Sequence, residues 1–312
     1  MNYEANCSIN SHSTNSTISS IQTIVYIPVF IIGVILNALA LKVFCCKLSK
    51  WTETRVYMTN LAIADCLLLF TLPLKIIYKT QVSTLCLILE SAYFINRYMS
   101  IFLITITAVD RCFAISYPFK AKTMRSPLKS AVICGFLWAL MISIICVTKL
   151  YEKRVEPVVC FKKVSREPSF PVFASVIWGF VIPLTILCFC SIQVKRKLIA
   201  KKCSDAHEEK QIQKAINIIG ANMAVFIICF LPIHVAQIVR FIVDMLQASC
   251  TVIENTDIFV NLAGIIANTN CCLDAICYYF VNREFQEASL ELISNISSSQ
   301  KRSFENQEPD VL

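Results

Sequence analysis

The sequence contains little charge, little glycine and little histidine. Only 16% of its 312 residues are charged and five are glycine, whereas 56% are hydrophobic. Soluble proteins carry more charge, about 25% of residues, so an ordinary soluble domain is excluded. The three histidines, His12, His207 and His234, are scattered and form no metal-binding pair. An enzyme is therefore poorly supported, and we expect none; the composition favours a membrane protein with several spans.

Seven long apolar segments account for most of the chain, and we call them spans 1 to 7. They cover residues 21–46, 56–79, 86–117, 128–150, 168–200, 212–245 and 255–281. Each exceeds the roughly 20 residues that cross a bilayer as a helix. The sequence therefore predicts an all-α membrane protein, a bundle of seven transmembrane helices over 21–281. Residues 1–20 form an extracellular N-terminus, 282–293 a short amphipathic helix and 294–312 a cytoplasmic tail.

The distribution of Lys and Arg predicts the orientation of the chain in the membrane. Residues 1–41 contain neither, whereas the loops after spans 1, 3 and 5 are rich in both. Because cytoplasmic loops carry the excess of basic residues, we expect the N-terminus outside and the C-terminus inside. The sequons at Asn6 and Asn15 then lie where glycans are added.

Cysteine usage adds a second prediction about the outer face. Of the 17 cysteines, only Cys7, Cys86, Cys160 and Cys250 fall outside the spans and cytoplasmic segments. An even number in an oxidising compartment suggests two disulfides. Cys86–Cys160 would hold the loop after span 4 over the bundle, and Cys7–Cys250 would tether the N-terminus. Four cysteines allow three pairings, and the sequence does not choose among them.

Each span also carries a polar residue, proline or tryptophan at a particular place. In chain order these are Asn37, Asp65, Asp110-Arg111-Cys112, Trp138, Pro183, Cys229-Phe230-Leu231-Pro232 and Asp274-Ala275-Ile276-Cys277-Tyr278. Their order and spacing resemble the rhodopsin-like (class A) G-protein-coupled receptors over nearly the whole chain. The resemblance implies a heterotrimeric G protein and arrestin as partners, with the lipid of the plasma membrane around the bundle. We expect no nucleic-acid partner.

Three further stretches narrow the resemblance within that family. They are Trp51-Thr52-Glu53-Thr54-Arg55, Asn96-Arg97-Tyr98-Met99-Ser100 and Asn270-Cys271-Cys272-Leu273. They look like the receptors for kynurenic acid and related anionic tryptophan metabolites; receptors for lysophosphatidylinositol are similar but less close. These relatives suggest an inhibitory or Rho-linked G protein. A lysophospholipid ligand, or less plausibly a non-signalling scaffold or channel, stays open as an alternative.

Two acidic residues lie inside the spans, Asp65 in span 2 and Asp274 in span 7. Two carboxylates in a low-dielectric interior cannot both stay bare and charged, so a cation lies between them or one holds a proton. The resemblance implies a sodium site, with Asn37, Ser100 and Asn270 able to reach it; we expect no other cofactor. The alternative is a hydrogen-bonded cluster that fixes helix packing.

Arg111, at the end of span 3, is the predicted centre of the activation switch. We expect Asp110 to pair with Arg111 in the resting state and Tyr278 to contact it on activation; the alternative is a basic residue that merely ends a span. Pro183, Ile101 and Phe226 are predicted to meet where spans 5, 3 and 6 join, with Phe230 one turn further out. The matching position for a second acidic restraint is Ile212, which predicts basal signalling.

The outer half of the bundle is cationic, which predicts an anionic ligand. Arg97 in span 3 lies on one helical face with Glu90 and Tyr93. Glu90, the acidic residue of that face, is about two helical turns from Arg97, which is a long reach for an ion pair. An unpaired buried guanidinium is costly, so a carboxylate from outside is its natural partner. The predicted contacts are Tyr93, Arg97, Arg240, Lys75, Gln237 and Arg154. The alternative is that Glu90 neutralises Arg97.

Overall fold

The computed structural model describes residues 11–77, 84–155, 167–200, 206–281, 285–291 and 294. In these ranges the regular structure is helical, and seven helical stretches are long and apolar enough to cross a membrane. They run over Thr17–Lys47, Glu53–Ile77, Leu87–Ser116, Pro127–Leu150, Phe170–Lys197, Ile212–Met245 and Cys250–Cys277. The predicted fold class, an all-α bundle of seven membrane-crossing helices, is confirmed.

Ten α-helices and two short π-helical turns are found in the described residues, and all of them except α4 belong to the spans. The helices are α1 (Ser11–Lys42), α2 (Glu53–Ile77), α3 (Thr84–Ser116), α4 (Pro118–Met124), α5 (Pro127–Val155), α6 (Phe170–Val176), α7 (Ile182–Ala200), α8 (Ala206–Met245), α9 (Cys250–Asn268) and α10 (Asn270–Val281). The π turns are Val43–Lys47, which ends span 1, and Ile177–Val181, which joins α6 to α7 in span 5. Spans 2, 3, 4 and 6 are α2, α3, α5 and α8, and span 7 is α9 with α10. Residues 285–291 form one further helical segment.

Proline explains where span 5 departs from the regular α-helix. Pro183 has no N–H to donate, and its ring clashes with the carbonyl four residues earlier. The π turn Ile177–Val181 lies just before it, and such turns accommodate a residue that does not fit the α-helical ladder. Its Gly179 lies against span 3 and span 6: a Cβ there would lie 2.7 Å from Tyr98 and 3.2 Å from His234. Glycine therefore lets the backbone of span 5 approach both neighbours.

Span 3 is the centre of the bundle and positions most of the site. It contacts spans 2, 4, 5 and 6. Its residues Met99, Ile101, Leu103 and Ile104 are all completely buried. Span 4 is tied to span 2 by the indole of Trp138, which donates to Asn60 Oδ1 at 3.1 Å. Polar residues of span 3 are consequently fixed by packing on all sides.

Large apolar side chains also form the outer surface of the bundle. Ile24, Ile35, Phe136 and Phe189 are 71%, 61%, 65% and 59% exposed. In water such a surface would be unfavourable, but in a bilayer it faces hydrocarbon, which is as apolar as these side chains. The bundle therefore turns its apolar side chains outward as well as inward.

Candidate functional site: a cationic outer cluster and two buried polar clusters

The outer cluster, named for the end of the bundle that the sequence predicts to face outside, is built around Tyr93 of span 3. Arg97, one turn below, donates from Nη2 to the Tyr93 hydroxyl at 2.6 Å, and its Cζ lies 4.8 Å from the centroid of that ring. Lys75 of span 2 places its Nζ 4.6 Å from the same centroid. Arg97 and Tyr93 are each 6% exposed. The buried ring of Tyr93 is thus in contact with two cations, Arg97 of span 3 and Lys75 of span 2. Two positive charges this close together favour the binding of a negatively charged partner.

Spans 1 and 7 complete the wall behind Tyr93. Tyr26 of span 1 lies beside Lys75, with 5.8 Å between Nζ and the ring centroid, and its hydroxyl accepts a 2.9 Å hydrogen bond from Asn268. Gly264 of span 7 lies so close to Tyr93 that a Cβ there would be 3.3 Å from the hydroxyl. Sequence reasoning missed Tyr26 and Asn268, because they are distant in sequence and carry no charge.

Glu90 does not neutralise Arg97. Its carboxylate forms an ion pair with Lys149 of span 4, with 3.0 Å between Nζ and Oε2. Glu90 and Arg97 are seven residues apart, about two helical turns, and Lys149 offers a nearer cation. Among the described residues, no carboxylate lies within ion-pair distance of Arg97. The charge of Arg97 is therefore not neutralised by Glu90, and the alternative that the sequence left open is wrong.

Arg240 of span 6 has acidic partners of its own. Its Nε donates to both carboxylate oxygens of Asp244, at 3.0 and 3.2 Å, and its Nη1 donates to Asp257 of span 7. The pair with Asp257 joins the outer ends of spans 6 and 7. Arg240 thus serves this junction, and a ligand contact there stays a prediction. Gln237, one turn below, has a buried Oε1 without a hydrogen-bond partner.

His234 is a core residue below this cluster. It is 1% exposed, its Nδ1–H donates to the carbonyl of Phe230 at 2.6 Å, and its ring stacks on Phe180 at 5.1 Å. The same aromatic group continues inward, since Phe226 stacks on Phe180 at 5.6 Å and meets Phe230 edge-on at 5.7 Å. With the fully buried Ile101 and the buried Pro183, these rings occupy the junction of spans 3, 5 and 6. A shift of span 6 would have to repack them.

A polar cluster lies further inside, around the two acidic residues. Asp65 and Asp274 interact electrostatically; Asp65 accepts from Asn96 at 3.4 Å and Asp274 from Asn270 at 3.5 Å. Three buried oxygens in this region have no hydrogen-bond partner: Asp65 Oδ2, Ser100 Oγ and Asn37 Oδ1. Buried oxygens without donors are costly, and a small hard cation would satisfy them. Sequence reasoning missed Asn96, one turn before Ser100 on the same helical face.

The Asn37 amide has a second role beside this cluster. It donates to the carbonyl of Cys271 at 2.8 Å and to that of Gly33 at 3.0 Å. The first bond joins span 1 to span 7 just after the break at Thr269. It satisfies a carbonyl next to an interruption in the helix, where backbone groups lose their regular partners.

At the inner end, the predicted pair of Asp110 with Arg111 is replaced by another. Asp110 binds Arg125, which donates to its two carboxylate oxygens at 2.6 and 2.8 Å, and Arg125 also reaches Glu53 at 3.2 Å. Neighbouring side chains on a helix point in different directions, whereas Arg125, just past α4, can present its fork to the carboxylate. Arg111 Nε is buried without a hydrogen-bond partner. The expectation that Asp110 guards Arg111 is therefore corrected.

The partners of Arg125 also keep it charged. Burial alone would lower the pKa of its guanidinium, but the hydrogen bonds and the negative charge of Asp110 raise that pKa above its ordinary value. The link between span 2, span 3 and the turn after α4 therefore persists over the whole physiological pH range. Nothing in the sequence marks Arg125, because it is one of several basic residues in a loop.

Several predicted residues lie outside the described part of the chain. Among them are Cys7, Cys160 and Asn6, and the side chains of Cys86, Arg154, Tyr278 and Asn15. Cys250 is disulfide-bonded. Twelve described cysteines are free, so none of these is the partner. The predicted pairing of Cys250 with Cys7 stays a prediction.

Comparison with known proteins identifies the family. The profile described as 7 transmembrane receptor (rhodopsin family) matches residues 36–278. G-protein coupled receptor 35 of Homo sapiens is 40% identical over 273 residues, which cover 87% of each chain. G-protein coupled receptor 55 of Homo sapiens is 34% identical, covering 87% of this chain and 88% of its own. Lysophosphatidic acid receptor 4 of Homo sapiens is 32% identical, covering 85% and 75%. The chain belongs to the rhodopsin family of seven-transmembrane, G-protein-coupled receptors.

Proposed function

We propose that this receptor binds a small aromatic carboxylate at Arg97, Lys75 and Tyr93 and passes the signal to heterotrimeric G proteins. The observation that carries the proposal is the position of Arg97. Its guanidinium is buried, and no carboxylate of the described residues lies within ion-pair distance. A carboxylate ligand would supply the missing negative charge and accept two parallel hydrogen bonds from the fork.

The neighbours of Arg97 support an aromatic rather than an aliphatic acid. The ring of Phe94 adjoins Arg97, with 5.7 Å from Cζ to the centroid, and Tyr93 is closer. A flat ring stacks favourably in such a group. Lys75 adds a second positive charge from span 2, while the negative charge of Glu90 is paired with Lys149. An amine ligand would meet two cations here and is disfavoured.

We propose that signalling proceeds through the aromatic group below the site. His234 interacts electrostatically with Arg97 and stacks on Phe180, so a ligand bound at Arg97 adjoins this group. Repacking of Phe226 and Phe230 then moves span 6, because packed interfaces switch between discrete arrangements. At the inner end, Arg111 contacts the G protein while Arg125 holds Asp110 aside. An inhibitory or Rho-linked G protein, and arrestin, are the proposed partners.

We also propose that Asp65, Ser100 and Asp274 hold a sodium ion, with Asn37 and Asn270 alongside. The unpartnered oxygens of this cluster support the assignment. A bound sodium ion supplies the positive charge that two adjoining buried carboxylates require. The residues of spans 2, 3 and 7 would then be held together in the resting receptor, with the N-terminus of the chain outside the cell.

The test is agonist-driven nucleotide exchange in membranes containing the receptor and a G protein. A panel of aromatic carboxylates should activate the wild type, with the potency lost in Arg97→Ala. Arg97→Lys is the matched control. It keeps the positive charge but loses the paired N–H donors of the guanidinium, so we expect an intermediate potency. Equal potency of all three receptors, at equal cell-surface amounts, would refute the proposal.

A second candidate ligand is a lysophospholipid, which one relative supports by its name, Lysophosphatidic acid receptor 4. A phosphate is also recognised by an arginine fork, so the same residues would bind it. The same exchange assay separates the two candidates. Activation by lysophosphatidic acid, with no response to any aromatic acid, would favour the lipid.

A further inference from the structure

Two neighbouring cysteines are exposed at the end of span 1. Cys45 and Cys46 lie in the π turn Val43–Lys47, both with free thiols. The turn is closed by the Leu48 N–H, which donates to the carbonyl of Val43 at 3.2 Å. Val43 is 0% exposed and faces the core. The turn therefore buries the side chains of Val43 and Phe44 and directs the thiols of Cys45 and Cys46 outward.

The position of these thiols matches the edge of the membrane. The outer face of span 1 is a row of exposed isoleucines, among them Ile24 and Ile35 at 71% and 61%. Lys47 follows the cysteines directly, Lys50 lies three residues further on, and both are exposed. Basic residues at the end of an apolar face mark the level of the lipid headgroups. With the N-terminus outside, as proposed above, Cys45 and Cys46 lie at the cytoplasmic boundary.

A fixed positive charge adjoins the first of the two thiols. Arg55 of span 2 donates to the carbonyls of Phe44 and Lys50, the latter at 2.7 Å, and its Cζ lies 4.1 Å from the ring of Trp51. Arg55 interacts electrostatically with Cys45. The two carbonyls and the Trp51 ring hold this guanidinium in place at the base of the π turn.

We propose that Cys45 and Cys46 form an S-acylation site for a long-chain fatty acid. The thiolate attacks the carbonyl of a fatty acyl thioester such as acyl-coenzyme A. The new S–C bond forms, the coenzyme leaves as its thiolate and takes up the proton that the cysteine lost, and nothing is oxidised or reduced. The acyl chain then lies along the isoleucine row, and each buried CH₂ adds about 0.8 kcal/mol of membrane affinity.

The neighbouring helical segment gives the modification a structural consequence. Residues 285–291 lie against this turn through Phe285, whose ring centroid is 5.1 Å from that of Phe44, and through an ion pair of Lys47 with Glu291 at 3.1 Å. No cysteine follows Cys277 in the sequence, so this segment has no acylation site of its own. An acyl chain on the π turn would hold the same corner of the receptor at the membrane from span 1.

The test uses the full-length receptor in cells fed an alkyne analogue of palmitate. The receptor is captured, coupled to a dye and treated with hydroxylamine, which cleaves thioesters. We expect a hydroxylamine-sensitive label on the wild type, less label on Cys45→Ser and on Cys46→Ser, and none on the double variant. The matched control is Cys146→Ser with Cys188→Ser. These cysteines are also free and exposed but lie within spans 4 and 5, so this variant should keep the full label.

An unlabelled wild type, or a double variant labelled as strongly as the wild type, would overturn the proposal; in the second case the acylated thiol is elsewhere. Staining of an N-terminal epitope on intact cells reads the orientation independently. Because serine is close to cysteine in size, agonist-driven exchange by the double variant should persist. The experiments can therefore refute the proposed acylation site while the proposed ligand site stands, and the reverse.

Discussion

Arg125→Gln should lower basal signalling, which is a direct consequence of the inner ion pair. In the wild type Arg125 holds both carboxylate oxygens of Asp110, whose side chain is 9% exposed, while that of Arg125 is 20% exposed. Without Arg125, Asp110 is available to Arg111, with which it already interacts electrostatically. Asp110 would then restrain Arg111, the residue that we assign to the G protein.

The size of the effect follows from the hydrogen bonds that are lost. A hydrogen bond between charged groups contributes about 1.5–3 kcal/mol, and partial exposure reduces this to about 1–2 kcal/mol for the pair. Since 1.4 kcal/mol is a factor of ten, basal exchange should fall by about 5- to 30-fold. The assay is ligand-free GTP binding by the G protein, divided by the amount of receptor at the cell surface.

The matched control for this prediction is Lys122→Gln, which removes an exposed cation from α4. Its basal exchange should stay near that of the wild type. Glu53→Gln should have a smaller effect than Arg125→Gln, since Glu53 offers Arg125 a single longer contact of 3.2 Å. Unchanged or raised basal exchange in Arg125→Gln would refute the reasoning, because Asp110 would then have no hold on Arg111.

Three further predictions concern packing, the ion and the charge balance of the outer cluster. Gly33→Ala should lower the melting temperature of the purified receptor, because its Cβ would lie 2.5 Å from a leucine of span 2; Gly135→Ala, with nothing within 4 Å, should not. Asp65→Asn should make agonist affinity insensitive to sodium, and a binding isotherm that still shifts with sodium would count against the ion site. Lys149→Gln should weaken binding of carboxylate ligands by about tenfold, because Glu90 loses its partner 3.0 Å away and is free to oppose the anion; unaltered affinity would contradict this.

The architecture was predictable because hydropathy reports it directly. Seven apolar stretches of sufficient length specify a bundle of membrane-crossing helices, and the motifs centred on residues such as Asp65 and Pro232 identify the family. The cost of burying charge predicted that Asp65 and Asp274 interact, because two carboxylates in the interior of the bundle must share a cation or one of them must hold a proton. The π turn before Pro183 could not be predicted, because a proline predicts that the helix is interrupted but not whether it bends or forms a π turn.

Pairings of charges were the least predictable part of the site. Asp110 has a cation next to it in the sequence, yet Arg125, fifteen positions away, is its partner. Glu90 shares a helical face with Arg97, yet it binds Lys149 from another span. In both cases the sequence shows the charges but not the loop or the neighbouring helix that brings a better-oriented partner. Fixed geometry, not sequence distance, decides which ion pair forms.

The central claim is that the charge of Arg97 is matched by a carboxylate from outside. It is tested most directly by equilibrium binding of an aromatic carboxylate and of its primary amide to the wild type and to Arg97→Gln. Replacing the acid by the amide should weaken binding by about 10- to 100-fold in the wild type and by less than about threefold in the variant. The bond from Arg97 to Tyr93 is lost with either ligand and cancels in this comparison. An equal loss in both receptors would contradict the account, because the carboxylate would then be recognised elsewhere.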